Sequence, residues 1–191
     1  VIVDDGSKDN SVNIVKKYSH VKLILHEHNK GYGKTLLTGV QNSTGQIVVT
    51  MDSDGQHEPA DLNNLVSTLI REKADVVVGS RYLGMYAYDI ALTTFLGEFF
   101  VHFILLTFFR INVKNNQSGY RAFTDASAKY IFSRTRFHGF ALTTEILMMS
   151  SVMRLKVREA KIHLYGRVAG TSRIKLFQLL KTIIHCSLYY G

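Results

Sequence analysis

The chain has 191 residues, of which 46% are hydrophobic and 20% are charged. These values indicate a folded domain with its own core and exclude a disordered tail. The single cysteine, Cys186, excludes an internal disulfide bond, and no His/Cys cluster has the spacing of a zinc site. The net charge of +8 favours an anionic partner, such as a nucleotide, a phospholipid surface, a phosphorylated substrate or nucleic acid.

Short apolar runs and helical patterns alternate through the first half of the chain. This repetition predicts an α/β fold around a sheet of the parallel type. The chain begins within an apolar run, so we expect an upstream segment that this sequence lacks. The predicted elements in chain order are strand 1–3, helix 9–18, strand 21–25, helix 34–42, strand 46–51, helix 59–72, strand 75–78, helix 90–109, strand 157–164 and helix 175–190.

The segment 90–109 is almost wholly apolar, so it could lie in a membrane, at its surface or in the protein core. Glu98 and His102 near its middle argue against a membrane span, because a central charge costs about 2.5–3.5 kcal/mol. Together with Thr94 they form one polar stripe. We expect a helix in a membrane interface or an oligomer contact, with a core helix or a span as alternatives. The basic amphipathic segment 175–190 suits an anionic membrane surface or packing on the sheet.

Two pairs of carboxylates follow predicted strands. Asp4 and Asp5 come after the first strand, and Asp52 and Asp54 come after the third. In open α/β sheets, ligands bind beyond the carboxyl ends of the strands, and Asp-x-Asp there can offer two hard oxygen ligands to a divalent cation. The pattern predicts a Mg²⁺ or Mn²⁺ site that holds phosphate oxygens, with Gln56 as a neutral ligand. Turn formation is the alternative role of these residues.

The segment around Gly33 and Lys34 ends like a phosphate-binding P-loop. A P-loop needs glycine five residues before Gly33, where this chain has His28. We therefore interpret the segment as structural.

Several arginines lie beside Gly or Ser and are predicted on loops. The guanidinium group matches the geometry of phosphate, although a single such arginine is usually a solvated charge. The candidates are Arg81, Arg121, Arg167 and Arg173.

Seven segments occur in an order that resembles the family 2 glycosyltransferases: VDDGSKDNS, NKGYGK, MDSDGQHEP, GSRY, QSGYRAF, TTEI and GRVAGTSRIK. The chain is most similar to the dolichyl-phosphate (polyprenyl-phosphate) mannosyltransferase and glucosyltransferase group. The resemblance implies a GT-A catalytic domain over residues 1–175, with a mixed sheet flanked by helices and the first strand missing. Residues 90–110 and 175–190 then become candidate membrane-interface helices.

The resemblance also implies roles for single residues. The implied donor-binding residues are Val3, Asp5, Asp52, Ser53, Asp54, Arg81, Arg167 and Arg173. The implied metal ligands are Asp52, Asp54 and Gln56, and the implied catalytic residues are Asp54, Arg81, Arg121 and Glu145.

The implied reaction moves mannose or glucose from a GDP- or UDP-linked sugar to a polyprenyl phosphate, with inversion and with Mg²⁺ or Mn²⁺. Arg81 and Arg121 would steer the acceptor phosphate, which needs no strong base because it is already anionic. A sugar hydroxyl acceptor, with Glu145 as base, and an inactive membrane-binding fragment are the alternatives. We expect peripheral attachment to the cytoplasmic face of a membrane and no nucleic-acid partner.

Overall fold

The computed structural model describes residues 1–86, 92–136, 139, 141–166, 184–186 and 188–190. Residues 184–186 and 188–190 are helical, and the rest of the predicted helix 175–190 lies outside this range. One 3₁₀ turn, Pro59–Asp61, precedes the third helix. The elements are β1 (Ile2–Asp4), α1 (Ser11–Val15), β2 (Leu23–Leu25), α2 (Tyr32–Gln41), β3 (Ile47–Thr50), α3 (Leu62–Arg71), β4 (Val76–Tyr86), α4 (Leu92–Phe109), β5 (Arg121–Thr124), α5 (Asp125–Arg134), α6 (Leu142–Val152) and β6 (Val157–Leu164).

The larger sheet is mixed and has the strand order β3-β5-β4-β6. Strand β5 runs antiparallel to both β3 and β4, whereas β6 runs parallel to β4. The expectation of a parallel-type sheet is therefore wrong at β5, while the mixed sheet flanked by helices is confirmed. The sequence analysis missed strand β5 because its four residues, RAFT, show no alternation of apolar and polar side chains. The segment becomes a strand through its pairing with β3 and β4.

A second, two-stranded sheet pairs β1 with β2 in parallel, with Ile2 opposite Leu23. Val3 of β1 lies against α2, because a Cβ placed on Gly39 would stand 3.6 Å from the Val3 Cγ2 atom. Hydrogen bonds from the Lys30 and Gly31 amides to Asp5 bring the loop that follows β1 to the start of α2.

The core occupies both faces of the larger sheet, because successive residues of β4 point in opposite directions. Val77 packs with Ile162 and with Leu65 of α3. Val78 packs on the other face with Leu105 of α4, and with Leu147 of α6. Helices therefore cover both faces of the sheet.

A buried ion pair ties α4 to β4. The Nη2 atom of Arg81 donates to both carboxylate oxygens of Glu98, at 2.6 and 2.7 Å, and the Tyr82 hydroxyl donates to Glu98 at 2.5 Å. One turn further along α4, the Nδ1 atom of His102 lies 3.0 Å from the Val113 carbonyl oxygen. Two of the three residues of the predicted polar stripe therefore face the protein.

The other face of α4 is apolar and exposed. Its exposed side chains are Leu92, Phe95, Leu96, Phe99, Phe100, Phe103, Leu106 and Phe108. Because Val101 and Leu105 on the inner face are buried, the helix is neither wholly a core helix nor wholly exposed. In the part of the chain that the structure describes, no helix has both the length and the hydropathy to cross a membrane.

We expect Glu98→Ala to lower the free energy of unfolding by about 3–5 kcal/mol, because it leaves the Arg81 guanidinium buried without its carboxylate. The matched control, Glu27→Ala, removes an exposed carboxylate and should change this free energy by less than about 0.5 kcal/mol. Urea unfolding followed by circular dichroism measures both variants. Equal stability of the two would contradict a structural role for the pair.

Candidate active site

The site begins at Asp5, which follows β1. Its two carboxylate oxygens accept hydrogen bonds from the main-chain amides of Lys30 and Gly31, both at 2.8 Å. The Nδ1 atom of His26 lies 2.7 Å from the same carboxylate and must carry a proton, because a carboxylate only accepts. The other ring nitrogen of His26 lies 3.0 Å from the Thr38 hydroxyl. Asp5 therefore holds the turn that opens α2.

These hydrogen bonds lower the pKa of Asp5. Burial raises the pKa, but the hydrogen bonds from His26 and from the two main-chain amides lower it more, so that the pKa lies below its ordinary value. Asp5 is thus ionised at neutral pH and bound to groups of the protein itself. Contact of Asp5 and of Val3 with a donor nucleotide stays a prediction.

Tyr32 is the first residue of α2 and was missed by the sequence analysis. Gly31 before it has a φ of +88°, a left-handed conformation that favours glycine. The Tyr32 side chain is partly buried and lies close to Asp52 and Arg121. Burial, followed by the negative charge of Asp52, raises the pKa of Tyr32. The sequence offers no signal for this placement, because Tyr32 and Asp52 lie on separate segments that only the fold brings together.

Asp52, two residues after β3, is fitted against the main chain of Gly119. A Cβ on Gly119 would stand only 2.3 Å from the Oδ2 atom of Asp52, so no larger residue leaves room for this carboxylate position. The Thr50 hydroxyl donates to the Gly119 carbonyl oxygen at 2.9 Å and fixes the distance between the two segments. The Nε2 atom of His57 lies 3.9 Å from Oδ2 of Asp52, whose side chain is 35% exposed. Asp52 is therefore held on several sides but still reaches solvent.

Asp54 and Gln56 complete the predicted cation ligands. Asp54 is partly buried and accepts a hydrogen bond from the Gln56 amide at 3.2 Å. The side-chain nitrogen of Gln56 donates to the Tyr165 carbonyl oxygen at 3.2 Å, so the side-chain oxygen is the ligand that Gln56 can offer. Ser53 between the two aspartates is exposed.

This donor set fits a cation that arrives with phosphates. Across residues 1–86, 92–136, 141–166 and the short helical pieces near residue 190, no group of three or more His, Cys, Asp or Glu side chains is arranged to hold a metal ion. Mg²⁺ is usually bound by one or two carboxylates together with substrate phosphates and water. Asp52, Asp54 and Gln56 would supply such a partial set, with the rest coming from a diphosphate.

The prediction that Arg81 and Arg121 lie on loops is wrong. Arg81 lies within β4 and pairs with Glu98, and Arg121 begins β5 with its side chain fully buried. The guanidinium of Arg121 donates to three main-chain carbonyl oxygens at 2.7–2.8 Å, those of Ser118, Thr143 and Asn116. A buried guanidinium needs hydrogen-bond acceptors of this kind. The three hydrogen bonds of Arg121 join the loop before β5 to the first turn of α6.

Arg121 keeps its positive charge although it is buried. Burial lowers the pKa of Arg121 to about 10, while the nearby Tyr32 and Asp52 raise it, so the group stays protonated at neutral pH. Steering of an acceptor phosphate by Arg81 or Arg121 stays a prediction, which the burial of both groups does not favour. Arg167 and Arg173 lie outside the described residues.

Glu145, in the first turn of α6, is fully buried. Its Oε1 atom accepts hydrogen bonds from the Arg136 amide and from the Tyr190 hydroxyl, both at 2.8 Å. A general base for a sugar hydroxyl must reach its acceptor directly or through one water molecule. The burial of Glu145 therefore weighs against the hydroxyl-acceptor alternative, although its catalytic role itself stays a prediction.

The chain matches a known protein family over most of its length. The profile of Glycosyl transferase family 2 matches residues 1–135. The chain belongs to this family. It is therefore a glycosyltransferase domain, and the predicted family resemblance is confirmed.

Relatives and solved structures agree with this assignment. The chain is 29% identical to a UDP-N-acetylglucosamine–dolichyl-phosphate N-acetylglucosaminyltransferase of Methanococcus voltae, over 96% of this chain and 83% of that protein. It is 27% identical to a dolichyl-phosphate β-glucosyltransferase of Trichomonas vaginalis, over 96% of this chain and 59% of that protein. The domain is thus related to the dolichyl-phosphate glycosyltransferases.

The fold is shared with glucosyl-3-phosphoglycerate synthase of Mycobacterium tuberculosis, solved with Mn²⁺ and UDP-glucose. The TM-score is 0.72 at 18% identity, and the match covers 100% of this chain and 67% of the other. The predicted GT-A fold is thereby confirmed.

The packing of Asp52 on Gly119 leads to a prediction. Gly119→Ala must displace the Asp52 carboxylate, and we expect the affinity for Mn²⁺ in the presence of UDP or GDP to fall about 10–100-fold. The control is Gly139→Ala, whose Cβ would meet no atom of the described residues within 4 Å. Isothermal titration calorimetry measures both affinities, with thermal melts as the folding check. Equal Mn²⁺ affinity in the two variants would argue against Asp52 as a ligand.

Proposed function

We propose that this domain transfers a gluco-configured sugar from a nucleotide diphosphate to the phosphate of a polyprenyl lipid, with inversion of the anomeric carbon. The observation that carries the proposal is the fixed pair of partly exposed aspartates, Asp52 and Asp54, in a family 2 fold related to enzymes named for dolichyl phosphate. Those relatives are named for glucose and N-acetylglucosamine, which favours these sugars over mannose and favours a UDP-linked donor.

Each part of the site has a task in this reaction. A Mg²⁺ or Mn²⁺ ion on Asp52, Asp54 and Gln56 would neutralise charge on the leaving diphosphate. Both carboxylates are partly exposed, so they can orient such a complex at the end of β3. The turn at Gly31 presents the amino-terminal end of α2, where main-chain N–H groups favour negative charge, beside the same carboxylates.

The acceptor side of the reaction accords with the burial of Glu145. A phosphate monoester is already anionic at neutral pH and can attack the anomeric carbon without a strong base. A sugar hydroxyl would need its proton removed by a group within hydrogen-bond reach. Glu145, the carboxylate that the sequence suggests as this base, is fully buried, and its burial therefore supports a phosphate acceptor.

We also propose that the exposed apolar face of α4 lies in a bilayer interface, which would bring the site to a lipid-borne phosphate. Leaving eight large apolar side chains in water is unfavourable, and each would gain by transfer to the acyl boundary. The net charge of +8 adds attraction to anionic lipids. The Arg81–Glu98 pair would hold this helix to the sheet during attachment.

We place this peripheral attachment at the cytoplasmic face of the membrane. The one cysteine of the chain, Cys186, is buried, and burial raises its pKa to about 12, so the thiol is unreactive. A chain without disulfide bonds suits a reducing compartment.

The transfer reaction is tested with UDP-glucose, UDP-N-acetylglucosamine and GDP-mannose, each supplied with a short polyprenyl phosphate and Mn²⁺. We expect transfer from a UDP-linked donor, and we expect Asp54→Asn to lower kcat/KM at least about 100-fold. The control is Asp9→Asn, which changes an exposed aspartate and should leave the rate unchanged. Transfer by Asp54→Asn at the wild-type rate would refute the role of Asp54. Transfer to a free sugar but not to the lipid phosphate would refute the acceptor.

Membrane attachment is tested by sedimentation with vesicles of phosphatidylcholine and phosphatidylglycerol. The double variant Phe99→Gln/Phe103→Gln should lower the partition coefficient at least about tenfold, because two apolar rings no longer enter the lipid. Ile70→Gln is the control, since Ile70 on α3 is as exposed as Phe99, 62% against 61%. Wild-type protein that stays in the supernatant at low salt would contradict the proposal.

A further inference from the structure

The loop 116–119, directly before β5, lies against the Asp52 carboxylate. Strands β3 and β5 pair in antiparallel fashion, with Thr50 opposite Arg121. Continuing this register beyond the last pair places Asp52 opposite Gly119, and a Cβ on Gly119 would stand only 2.3 Å from the Oδ2 atom of Asp52. The position of the loop therefore decides how much room the carboxylate has.

Two side chains, one at the end of β3 and one at the start of β5, hold the main chain of this loop. The Thr50 hydroxyl donates to the Gly119 carbonyl oxygen at 2.9 Å. The side chain of Arg121 folds back onto the loop, where Nε donates to the Ser118 carbonyl oxygen and Nη2 to that of Asn116, both at 2.8 Å. Most of the carbonyl oxygens of the loop are thus fixed by these two residues.

The remaining residue of the loop, Gln117, is bound to α6. Its side-chain nitrogen donates to the Thr144 hydroxyl at 2.7 Å, and its side-chain oxygen accepts from the Thr143 hydroxyl at 3.0 Å. The Nη1 atom of Arg121 donates to the Thr143 carbonyl oxygen at 2.7 Å. The loop is therefore held between α6 and the sheet and has little freedom to move away from Asp52.

The burial of Arg121 is unfavourable in itself. A fully buried guanidinium loses its hydration, and its hydrogen bonds here go to neutral carbonyl oxygens. An apolar side chain of similar volume would fill the same space at a lower cost, but it could not donate to the carbonyl oxygens of the loop. The hydrogen bonds of Arg121 therefore serve the position of the loop more than they serve stability.

We propose that Thr50 and Arg121 are positioning residues for Asp52, and that they act by holding loop 116–119 against its carboxylate. This inference rests on the proposed function, because it concerns the same cation and diphosphate. With the loop in place, the carboxylate cannot turn towards Gly119 and stays on the partly exposed side, where a cation with its diphosphate would arrive. Groups that orient a metal ligand commonly change the metal affinity by about 10–100-fold.

Thr50→Val tests the hydroxyl, because valine keeps the shape of threonine and lacks the donor. Titration of Mn²⁺ in the presence of UDP, followed by the electron paramagnetic resonance signal of free Mn²⁺, should give an affinity at least about tenfold lower. In transfer assays, the Mn²⁺ concentration for half-maximal rate should change more than kcat. The matched control is Thr50→Ser, which keeps the hydroxyl and should retain the affinity for Mn²⁺.

Arg121→Lys tests the guanidinium, because lysine keeps the charge and lacks the planar set of donors that reaches three carbonyl oxygens. We expect an Mn²⁺ affinity about 10–100-fold lower in the same titration. The control for lost stability is Ile131→Ala, which truncates a fully buried hydrocarbon side chain of α5 that cannot donate to the loop. It should lower the melting temperature and leave the Mn²⁺ affinity unchanged.

The double variant Thr50→Val/Arg121→Lys tests whether both residues act through the loop. Because the two would act on one segment, the combined loss of Mn²⁺ affinity should be smaller than the product of the single losses. Single losses that multiply in the double variant would overturn the common action through loop 116–119.

The outcomes separate this proposal from the proposed function. A folded Thr50→Val variant with unchanged Mn²⁺ affinity, or with the same loss as Thr50→Ser, would overturn the role of the hydroxyl while the proposed function stands. A lower melting temperature with unchanged Mn²⁺ affinity in Arg121→Lys would overturn the role of Arg121, because its hydrogen bonds would then serve only stability. If Arg121→Lys fails to fold, the two Thr50 variants decide the proposal. Wild-type protein that binds no Mn²⁺ with UDP or with GDP would overturn the proposed function, and the positioning role with it.

Discussion

The contact between the Asp52 carboxylate and the Cα of Gly119 sets the spacing of the site. It requires the loop before β5 to approach the end of β3 more closely than any side chain at position 119 would permit. The Thr50 hydroxyl and the antiparallel pairing of β3 with β5 hold that approach. Tyr32, at the start of α2, lies close to the same carboxylate. The cation ligands thus depend on a strand that runs against the predicted direction of the sheet.

Two buried arginines, Arg121 and Arg81, hold together the segments that surround the site. Arg121 satisfies three carbonyl oxygens and joins the loop before β5 to α6. Arg81 is held by Glu98 and ties α4 to β4. A charge buried in this way needs partners of good geometry, so its removal leaves an uncompensated opposite charge or unpaired acceptors. Two arginines that suggested substrate contact therefore have structural partners, and the site depends on them for its shape.

Helix α4 divides its surface between two environments. Glu98 and His102 turn towards the protein, where each finds a polar partner, and the phenylalanines and leucines on the other side have no cover among the described residues. The spacing of Thr94, Glu98 and His102 predicted one polar stripe, and the inward direction of Glu98 and His102 reverses the usual arrangement of a soluble amphipathic helix. An interface between protein and lipid would satisfy both faces at once.

The sequence by itself determined the family, the α/β class, most of the strands and the two carboxylates at the end of β3, because these depend on local patterns and on short motifs. The tertiary structure alone decided that β5 enters the sheet between β3 and β4, that Arg81, Arg121 and Glu145 are buried, and that Tyr32 lies close to Asp52. The pairing of β3 with β5 joins residues as far apart as Ile47 and Thr124, and Glu145 meets the distant Tyr190. Contacts of this kind depend on which segments pack together, and no periodicity within a single segment records them.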